Sequence, residues 1–269
     1  MNAHAFSDAA TMFRRSLRRM RRYPSLTLFV AGIPVVLMLL FVYVFGSTLG
    51  AGLGGSAPAG VSSDRAAYIA YVVPGILLIA VAGAGQGTAI SIAMDMTAGI
   101  IARFRTMAIA RSSVLAGHLL GAVLQTLLAT AIVVVVALAI GFRPTTGPVA
   151  WLAAVGLLTL AAVAVSALSA GLGLAANSVE TASNTPMFLS LLPFLGSGFV
   201  PASSMPWPLG WFAEHQPFTP ITETLRGLLM GTPIGDSAPV AVAWCLGIAV
   251  LGFVWALRLY ERLPERPGA

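Results

Sequence analysis

Few residues in this 269-residue chain could carry out chemistry, and their spacing excludes most kinds of enzyme. All 15 basic residues are arginine, so the phosphate loop G-x-x-x-x-G-K-[ST], whose lysine reaches the phosphates of ATP, is absent. His4, His118 and His215 lie in separate segments and Cys245 is the sole cysteine, so we expect neither a metal site nor an internal disulfide. Ser197 lacks the glycine pattern of a serine nucleophile turn, and we assign it a packing role. We therefore expect a non-enzyme that binds no cofactor of its own.

Polar side chains inside the apolar runs indicate helix packing rather than ion transport. They are mostly uncharged: Gln86, Thr88, His118, Gln125, Thr126, Ser166 and Ser169. We interpret them as groups that form hydrogen bonds between helices. No chain of acids and arginines is available inside the runs to carry protons or sodium, which argues against a secondary antiporter. Gly83, Gly85 and Gly87 permit close helix approach or, equally, loosen a helix that moves.

Composition places most of the chain in lipid. Hydrophobic residues make up 58% and charged residues 9% of it, and 9% is about a third of the charged fraction usual in soluble domains. A membrane helix needs about 20 mainly apolar residues, and six runs satisfy that requirement. We predict an all-α integral membrane protein with six transmembrane helices, at 26–46, 68–93, 113–140, 150–174, 185–202 and 238–258. The glycine-rich residues 47–67 are predicted to form a flexible loop.

The arginines orient these helices in the bilayer. With the N-terminus inside, the inner segments carry 12 arginines and the outer segments carry three, Arg65, Arg143 and Arg226. Cytoplasmic segments near span ends collect arginine. Both termini are therefore predicted to be cytoplasmic.

Two short segments are predicted to lie on the inner surface. Residues 1–25 place apolar side chains at helical spacing opposite a basic face, which indicates an amphipathic interfacial helix, although a merely positive tail is the alternative. Residues 95–111 carry an apolar stripe beside three arginines, which suits a short surface helix and an ordinary positive loop equally. The interfacial helix prediction rests on Phe6, Phe13, Arg14, Leu17, Arg18 and Met20.

Residues 203–237 are predicted to form a hairpin that dips into the outer leaflet. Seven prolines fall between residues 201 and 239, and the segment is too short to cross the membrane twice. Thr219 is predicted to cap a helix that begins at Pro220 and ends at Gly231. Irregular backbone at this depth must be covered by protein or line a wet cavity, so we expect the hairpin to cap something.

Five short motifs follow one another along this six-span frame. They are Arg21-Arg22-Tyr23-Pro24, Tyr71-Val72-Val73-Pro74-Gly75, Asp95-Met96-Thr97-Ala98-Gly99 with Arg103-Phe104-Arg105, Gln216-Pro217-Phe218-Thr219-Pro220 and Glu223-Thr224-Leu225-Arg226-Gly227. Together they resemble the membrane permeases of type-2 ATP-binding-cassette exporters, especially the daunorubicin-resistance-like bacterial branch. The resemblance covers nearly the whole chain.

The resemblance implies a role for each segment. Residues 1–25 would be the amphipathic elbow helix, residues 26–260 would be the six-span permease domain, and residues 261–269 would be a cytoplasmic tail. The permease domain would include a coupling helix within 95–111 and a re-entrant hairpin within 203–237. The residues implied at the ATPase contact are Asp95, Gly99, Arg103, Phe104, Arg105, Arg111 and Glu180. Five residues on the second and fifth spans are expected to line the translocation path: Gln86, Phe188, Leu192, Phe194 and Phe199. Those of the hairpin are Trp207, Trp211, Pro217, Pro220, Glu223 and Arg226.

The resemblance also implies partners and a mechanism. One six-span subunit would be half a pathway, so a second permease chain, identical or different, would pair with it in the bacterial cytoplasmic (inner) membrane. Two copies of a separate ATP-binding-cassette ATPase would bind ATP and Mg²⁺ and drive alternating access. No nucleic-acid partner is expected.

The cargo is left open between several classes. An apolar, aromatic interior favours an amphipathic or lipophilic compound, such as a drug, an antibiotic or a lipid-like molecule. Export of a polysaccharide or a lipid-linked glycan is the alternative within the class. A membrane scaffold or enzyme without an ATPase partner is the alternative outside it.

Overall fold

The computed structural model describes residues 24–52, 64–98 and 111–262, and these residues form helices and turns without a β-strand. The all-α prediction is confirmed for them. Most of the predicted elbow helix and most of the predicted coupling helix lie outside the described residues.

The described residues form the helices α1 to α10, in chain order. They are α1 (Pro24–Leu40), continued by a π-helical turn (Phe41–Phe45) into α2 (Gly46–Gly52), then α3 (Asp64–Thr97), α4 (Arg111–Ala139), α5 (Pro148–Ala175), α6 (Val179–Asn184), α7 (Met187–Leu191), α8 (Leu209–His215), α9 (Phe218–Met230) and α10 (Ser237–Arg262). Single 3-10 turns cover Leu192–Leu195 and Ala202–Ser204. In the described part of the chain, five helices are long and apolar enough to cross a membrane: α1 with its continuation, α3, α4, α5 and α10.

The predicted fifth span, 185–202, is not a single helix, which corrects that prediction. Pro186 precedes α7, and Pro193 lies in the 3-10 turn that follows α7. Proline lacks the backbone N–H and its ring clashes with the carbonyl four residues earlier, so two prolines seven residues apart interrupt this run, whereas α1 and α3 each accommodate a single interior proline, Pro34 and Pro74. Residues 185–199 are called the broken segment below.

The loop predicted over 47–67 is also shorter than expected. Residues 46–52 are helical, and α3 begins at Asp64, so helix occupies both ends of the predicted loop. Small residues lower helix propensity but do not prevent a helix that already runs on from a preceding one.

α3 is the central helix of the subunit. In its apolar window 89% of the residues are buried, against at most 44% in each of the other four membrane helices. α1, α2, α4, α5 and α9 all pack against it. The outer faces of the surrounding helices carry the exposed apolar side chains that suit contact with lipid.

Close contacts fix the relative direction of α3 and α5. A Cβ added to Gly85 would lie 2.5 Å from Cγ1 of Val165, and one added to Gly173 would lie 2.6 Å from the carbonyl oxygen of Ala89. The residue numbers of the contacting positions increase in the same direction along both helices, so α3 and α5 are parallel. Gly85 thus permits close approach, whereas a Cβ on Gly83 would have no atom within 4 Å.

α5 and α10 are parallel for the same reason. A Cβ on Gly171 would lie 2.3 Å from Trp255, and one on Gly252 would lie 2.7 Å from the backbone nitrogen of Leu168. Three parallel helices require two returns of the chain. α4 makes the first return, and the residues between α5 and α10 must make the second.

The broken segment runs back along α3. Near one end, a Cβ on Gly75 would lie 2.7 Å from Cα of Gly198. Just before its other end, Gln86 Nε2 donates a hydrogen bond to the carbonyl of Ser183 at 2.9 Å. These contacts are separated by about 16 Å along α3 at 1.5 Å per residue. That distance is more than half of the ~30 Å hydrocarbon core.

Candidate functional site at the two ends of the central helix

α9 carries the polar residues that hold the N-terminal half of α3. The helix ends at Gly231, which has φ +71 and donates its N–H to the carbonyl of Gly227, as predicted. It begins at Phe218, earlier than the predicted start at Pro220, and no side chain caps its N-terminus. The prediction that Thr219 acts as the cap is therefore wrong, because its hydroxyl forms other bonds.

Arg226 is buried on the face of α9 that packs against α3. Its Nη2 donates to the carbonyl of Ser197 at 2.8 Å and to the carbonyl of Tyr71 at 3.2 Å. Its guanidinium carbon lies 3.7 Å from the centroid of the Tyr71 ring, in a cation–π contact. We call Arg226, Tyr71 and Ser197 the Arg226 junction. It joins α9, α3 and the broken segment.

Gln216 and Thr219 bind backbone groups of the broken segment and of α8. Gln216 Nε2 donates to the carbonyl of Leu192 at 3.2 Å, and the backbone N–H of Ser197 donates to Thr219 Oγ1 at 3.2 Å. Thr219 Oγ1 also accepts from Gln216 Nε2 and donates to the carbonyl of Ala213, which uses its full hydrogen-bonding capacity. Side chains thus replace bonds that a regular helix would have made.

A carboxylate and an imidazole join α3 to α4 at the opposite end of α3. Asp95 Oδ2 lies 3.4 Å from Nε2 of His118, and Asp95 is buried. The pair adjoins an apolar cluster that includes Leu115, Leu119 and Tyr260. His118 therefore forms an interhelical contact, as interpreted from the sequence. By contrast, Thr88 and Thr126 bond to carbonyls of their own helices.

Glu180 lies close to the same end, in the first turn of α6. Ser178 caps this helix, since its Oγ accepts the N–H of Thr181 at 3.2 Å. A hydrogen bond with the Ser178 side chain holds the pKa of Glu180 below its ordinary value, and this exposed carboxylate is charged at neutral pH.

The residues predicted at the ATPase contact are only partly described. Asp95 and Glu180 lie toward the same end of α3, and Arg111 is the first residue of α4. Gly99, Arg103, Phe104 and Arg105 lie outside the described residues. The prediction that this group contacts an ATPase stays a prediction.

The residues predicted on the translocation path occupy different environments. Phe188 on α7 is 74% exposed, whereas Phe199 is buried. Phe199 stacks on Phe194 with ring centroids 5.0 Å apart and contacts Phe41 of the π-helical turn at 4.7 Å. Gln86 is half-buried and bonded to Ser183. Leu192 packs at the edge of the main core.

The predicted hairpin residues divide into an exposed and a buried group. Trp207 is 84% exposed and Trp211 is 58% exposed, which suits the membrane interface. Pro217 is the residue just before α9, and Pro220 is buried in the first turn of that helix. Glu223 Oε2 accepts a hydrogen bond from Ser237 at 2.9 Å and so ties α9 to the start of α10.

The sequence did not predict the contacts of several residues that the structure brings together at the Arg226 junction and beside it. Tyr71, Ser197 and Gln216 supply the ring, the carbonyl and the amide of the contacts above. The only local signal was an arginine within an apolar helix, because a buried arginine requires acceptors. Its acceptors are 155 and 29 residues away in the sequence, and no local pattern identifies them.

In the described part of the chain, four long apolar helices around a fifth, buried one define a multi-pass membrane protein. The family model of the ABC-2 type transporter matches residues 8–230, so the chain belongs to that family. It is the permease subunit of a type-2 ATP-binding-cassette exporter, a class that works with an ATP-binding-cassette partner and generally has no ATPase of its own.

Two relatives have names that mention drug resistance. The chain is 27% identical to the daunorubicin resistance ABC transporter permease protein DrrB1 of Streptomyces coeruleorubidus over 260 residues, which is 96% of this chain and 88% of that protein. It is 25% identical over 217 residues to DrrC of Mycobacterium tuberculosis, a permease protein named for doxorubicin resistance, covering 81% of this chain and 76% of that protein.

Proposed function

We propose that this chain is one half of an exporter that moves amphipathic or lipophilic compounds out of a bacterial cell. The observation that carries this proposal is the similarity to DrrB1 along 96% of the chain, since that relative is named for resistance to an amphipathic drug. The large apolar surface between and around the helices supports the same class of cargo.

The topology proposed is six crossings, one of them made by the broken segment. The parallel arrangement of α3, α5 and α10 supports it, because the chain must return between α5 and α10. The contacts from Ser183 to Gly198 along α3 support it further. A broken crossing is tolerated in a membrane when protein groups satisfy its backbone, as Arg226, Gln216 and Thr219 do here.

The orientation proposed has both termini in the cytoplasm. The N-terminal end of α3 then faces outward, and it is called the outer end below. The C-terminal end, with Asp95 and His118, is called the inner end. The distribution of 12 inner and three outer arginines supports this orientation.

The ATPase would bind at the inner end, through the segment between α3 and α4. The charged residues near it on the described elements are Asp95, Glu180 and Arg111, and Arg103 and Arg105 lie within the segment itself. Nucleotide-driven closure of two ATPase copies would move this segment. It would thereby shift α3 and the broken segment toward an outward-open state.

A second permease chain would complete the pathway. Phe188, Leu191 and Leu195 present exposed apolar surface on the broken segment. We propose that this surface faces the second chain across the path, with Phe188 in contact with cargo.

Two measurements on purified protein test the proposal. The chain is tagged at its N-terminus and isolated gently from its own membranes, and co-purifying proteins and ATP hydrolysis are measured. We expect a separate ATP-binding-cassette ATPase in stoichiometric amount. We expect Arg103→Glu with Arg105→Glu to abolish cargo-stimulated hydrolysis while the chain still inserts.

The matched control reverses two other arginines predicted to be cytoplasmic. Arg258 and Arg262 are exposed in the last turns of α10, outside the segment between α3 and α4, and their reversal is expected to leave hydrolysis close to that of the parent. Unchanged stimulation in the Arg103/Arg105 variant would refute the ATPase contact. A stable protein that carries no ATPase under several mild conditions would favour a scaffold instead.

A further inference from the structure

Arg226 is a buried cation that forms no ion pair with a carboxylate in the described part of the chain. It is 8% exposed, and its nearest acid along α9, Glu223, hydrogen-bonds to Ser237 instead. Glu223 attracts the guanidinium at a distance but forms no direct pair with it, and burying an arginine without a directly bonded carboxylate costs more free energy than burying an apolar side chain of similar size. Stability alone therefore does not account for an arginine at this position.

The guanidinium holds three elements together at one point. Its planar, forked set of donors reaches the carbonyls of Tyr71 on α3 and Ser197 on the broken segment, while its stem belongs to α9. A lysine ammonium has three N–H donors but no planar face, so it could not keep these bonds and also stack flat on the Tyr71 ring. Separation of α3 or of the broken segment from α9 would break at least one of these hydrogen bonds.

The contact beneath the guanidinium can separate without disturbing side chains. Gly75 and Gly198 meet backbone to backbone, with 2.7 Å between a built Cβ and the Cα of Gly198. No side chain interdigitates between Gly75 and Gly198, so this contact itself does not interlock α3 with the broken segment. The packed state is thus held here by the hydrogen bonds of Arg226 and by the backbone contact.

Two hydroxyl groups favour the separated state. Ser197 Oγ and Tyr68 Oη, the latter one turn before Tyr71, are buried and have no hydrogen-bond partner. An unsatisfied buried hydroxyl costs free energy, and entry of water would relieve that cost. The Arg226 junction therefore contains the Ser197 hydroxyl, which favours opening, and one cation that opposes it.

We propose that Arg226 is a positioning residue that latches the outer end of the permease closed. In the resting state its guanidinium holds α9 against α3 and the broken segment, and the latch releases when the outer end opens for cargo. This inference rests on the proposed export function and adds the residue that keeps the outer end shut between cycles.

The test is an accessibility measurement at Ser197. Cys245 is first replaced by alanine, and Ser197→Cys then supplies a buried reporter that sacrifices no hydroxyl bond. Right-side-out membrane vesicles that contain the assembled transporter are treated with a charged, membrane-impermeant maleimide, without and with ATP–Mg²⁺ inside. In the parent, alkylation is expected to be slow without ATP and faster with it.

Arg226→Lys is expected to raise the alkylation rate without ATP by about tenfold or more, since hydrogen bonds to a charged group are lost. ATP should then add little. Arg143→Lys is the matched control, because exposed Arg143 bonds to two nearby carbonyls, those of Leu138 at the end of α4 and of Phe142 just after it, and to no distant element in the described part of the chain. Its alkylation rate should equal that of the parent.

An Arg226→Lys protein that is assembled yet alkylated as slowly as the parent would overturn the latch, even if its melting temperature falls. If that variant does not assemble, Tyr71→Leu serves the same purpose, because it removes the ring but keeps the guanidinium and both carbonyls. An unchanged alkylation rate in Tyr71→Leu would also refute the latch. The measurement without ATP does not need a partner ATPase. Failure of the export proposal is therefore seen separately, as absence of that partner.

Discussion

The two ends of α3 are held in different ways. At the outer end, side chains of α9 and of the turn before it bond backbone groups on α3 and on the broken segment. At the inner end, the side chains of Asp95 and His118 join two regular helices, and α6 is capped by its own Ser178.

The difference follows from the state of the backbone at each end. The outer end contains proline-broken chain, whose carbonyls and N–H groups lack helical partners and must be satisfied by side chains in a region without water. The described helices that meet at the inner end, α3 and α4, satisfy their own backbone. They can tilt as rigid bodies, which suits the end at which an ATPase would act.

The largest effect is expected from filling the contact between Gly75 and Gly198. Gly75→Val should lower the free energy of unfolding by about 3 kcal/mol, because backbone atoms of Gly198 cannot move aside as a side chain could. Gly83→Val is the control on the same helix, since no atom lies within 4 Å of its built Cβ. Thermal unfolding in detergent measures both, and equal melting temperatures would contradict backbone contact at the outer end.

A smaller effect is expected from removing the hydroxyl that bonds the broken segment. Thr219→Val leaves the N–H of Ser197 and the carbonyl of Ala213 without a partner and should cost about 2 kcal/mol. Thr222→Val is the matched control, because its equally buried hydroxyl bonds only to Phe218 in its own helix. The same unfolding assay should show a larger loss for Thr219, and the reverse order would remove the case for side-chain support of broken backbone.

The inner end should respond more weakly. Asp95→Asn is expected to cost about 1 kcal/mol, typical of a hydrogen-bonded polar contact. Adding His118→Asn should cost little more than either change alone, because both remove one interaction; a double-mutant cycle by thermal unfolding measures that coupling. Strictly additive losses would mean that the two side chains act independently.

The smallest effect is expected at the cap of α6. Ser178→Ala should cost about 1 kcal/mol of local helix stability and speed hydrogen exchange of the amides in 179–184, while the melting temperature barely changes. Ser203→Ala, on an exposed outer turn, should leave that exchange unaltered. A clear fall in the melting temperature of Ser178→Ala would contradict this prediction, because it would mean that α6 unfolds together with the core, as the outer end does.

Hydropathy predicted the regular helices well. The spans expected at 68–93, 113–140, 150–174 and 238–258 lie within Asp64–Thr97, Arg111–Ala139, Pro148–Ala175 and Ser237–Arg262 or within a residue of them. The helices extend beyond the predictions because a helix continues past the hydrocarbon. Gly231 was also identified as a helix end, since a left-handed position there requires glycine.

The broken segment and the Arg226 junction could not be predicted in the same way. Hydropathy counts apolar residues and does not register that Pro186 and Pro193 interrupt a helix. The acceptors of Arg226 are backbone carbonyls, which every residue has, so residue identity gives no indication of which ones are used. Only the packing of α9 against α3 selects them.

The π-helical turn in α1 has a consequence for how this chain can vary in length. Across Phe41–Phe45 the helix accommodates one residue more than a regular turn, with Val42 in the core while Tyr43 and Val44 point outward. Deleting one of the two outward residues should restore a regular turn and leave Gly46 facing Arg65 and Tyr68 as before. An ordinary helix would answer the same deletion by rotating everything after it by about 100°. Homologous chains that are one residue shorter here can therefore keep the same packing of α1 on α3.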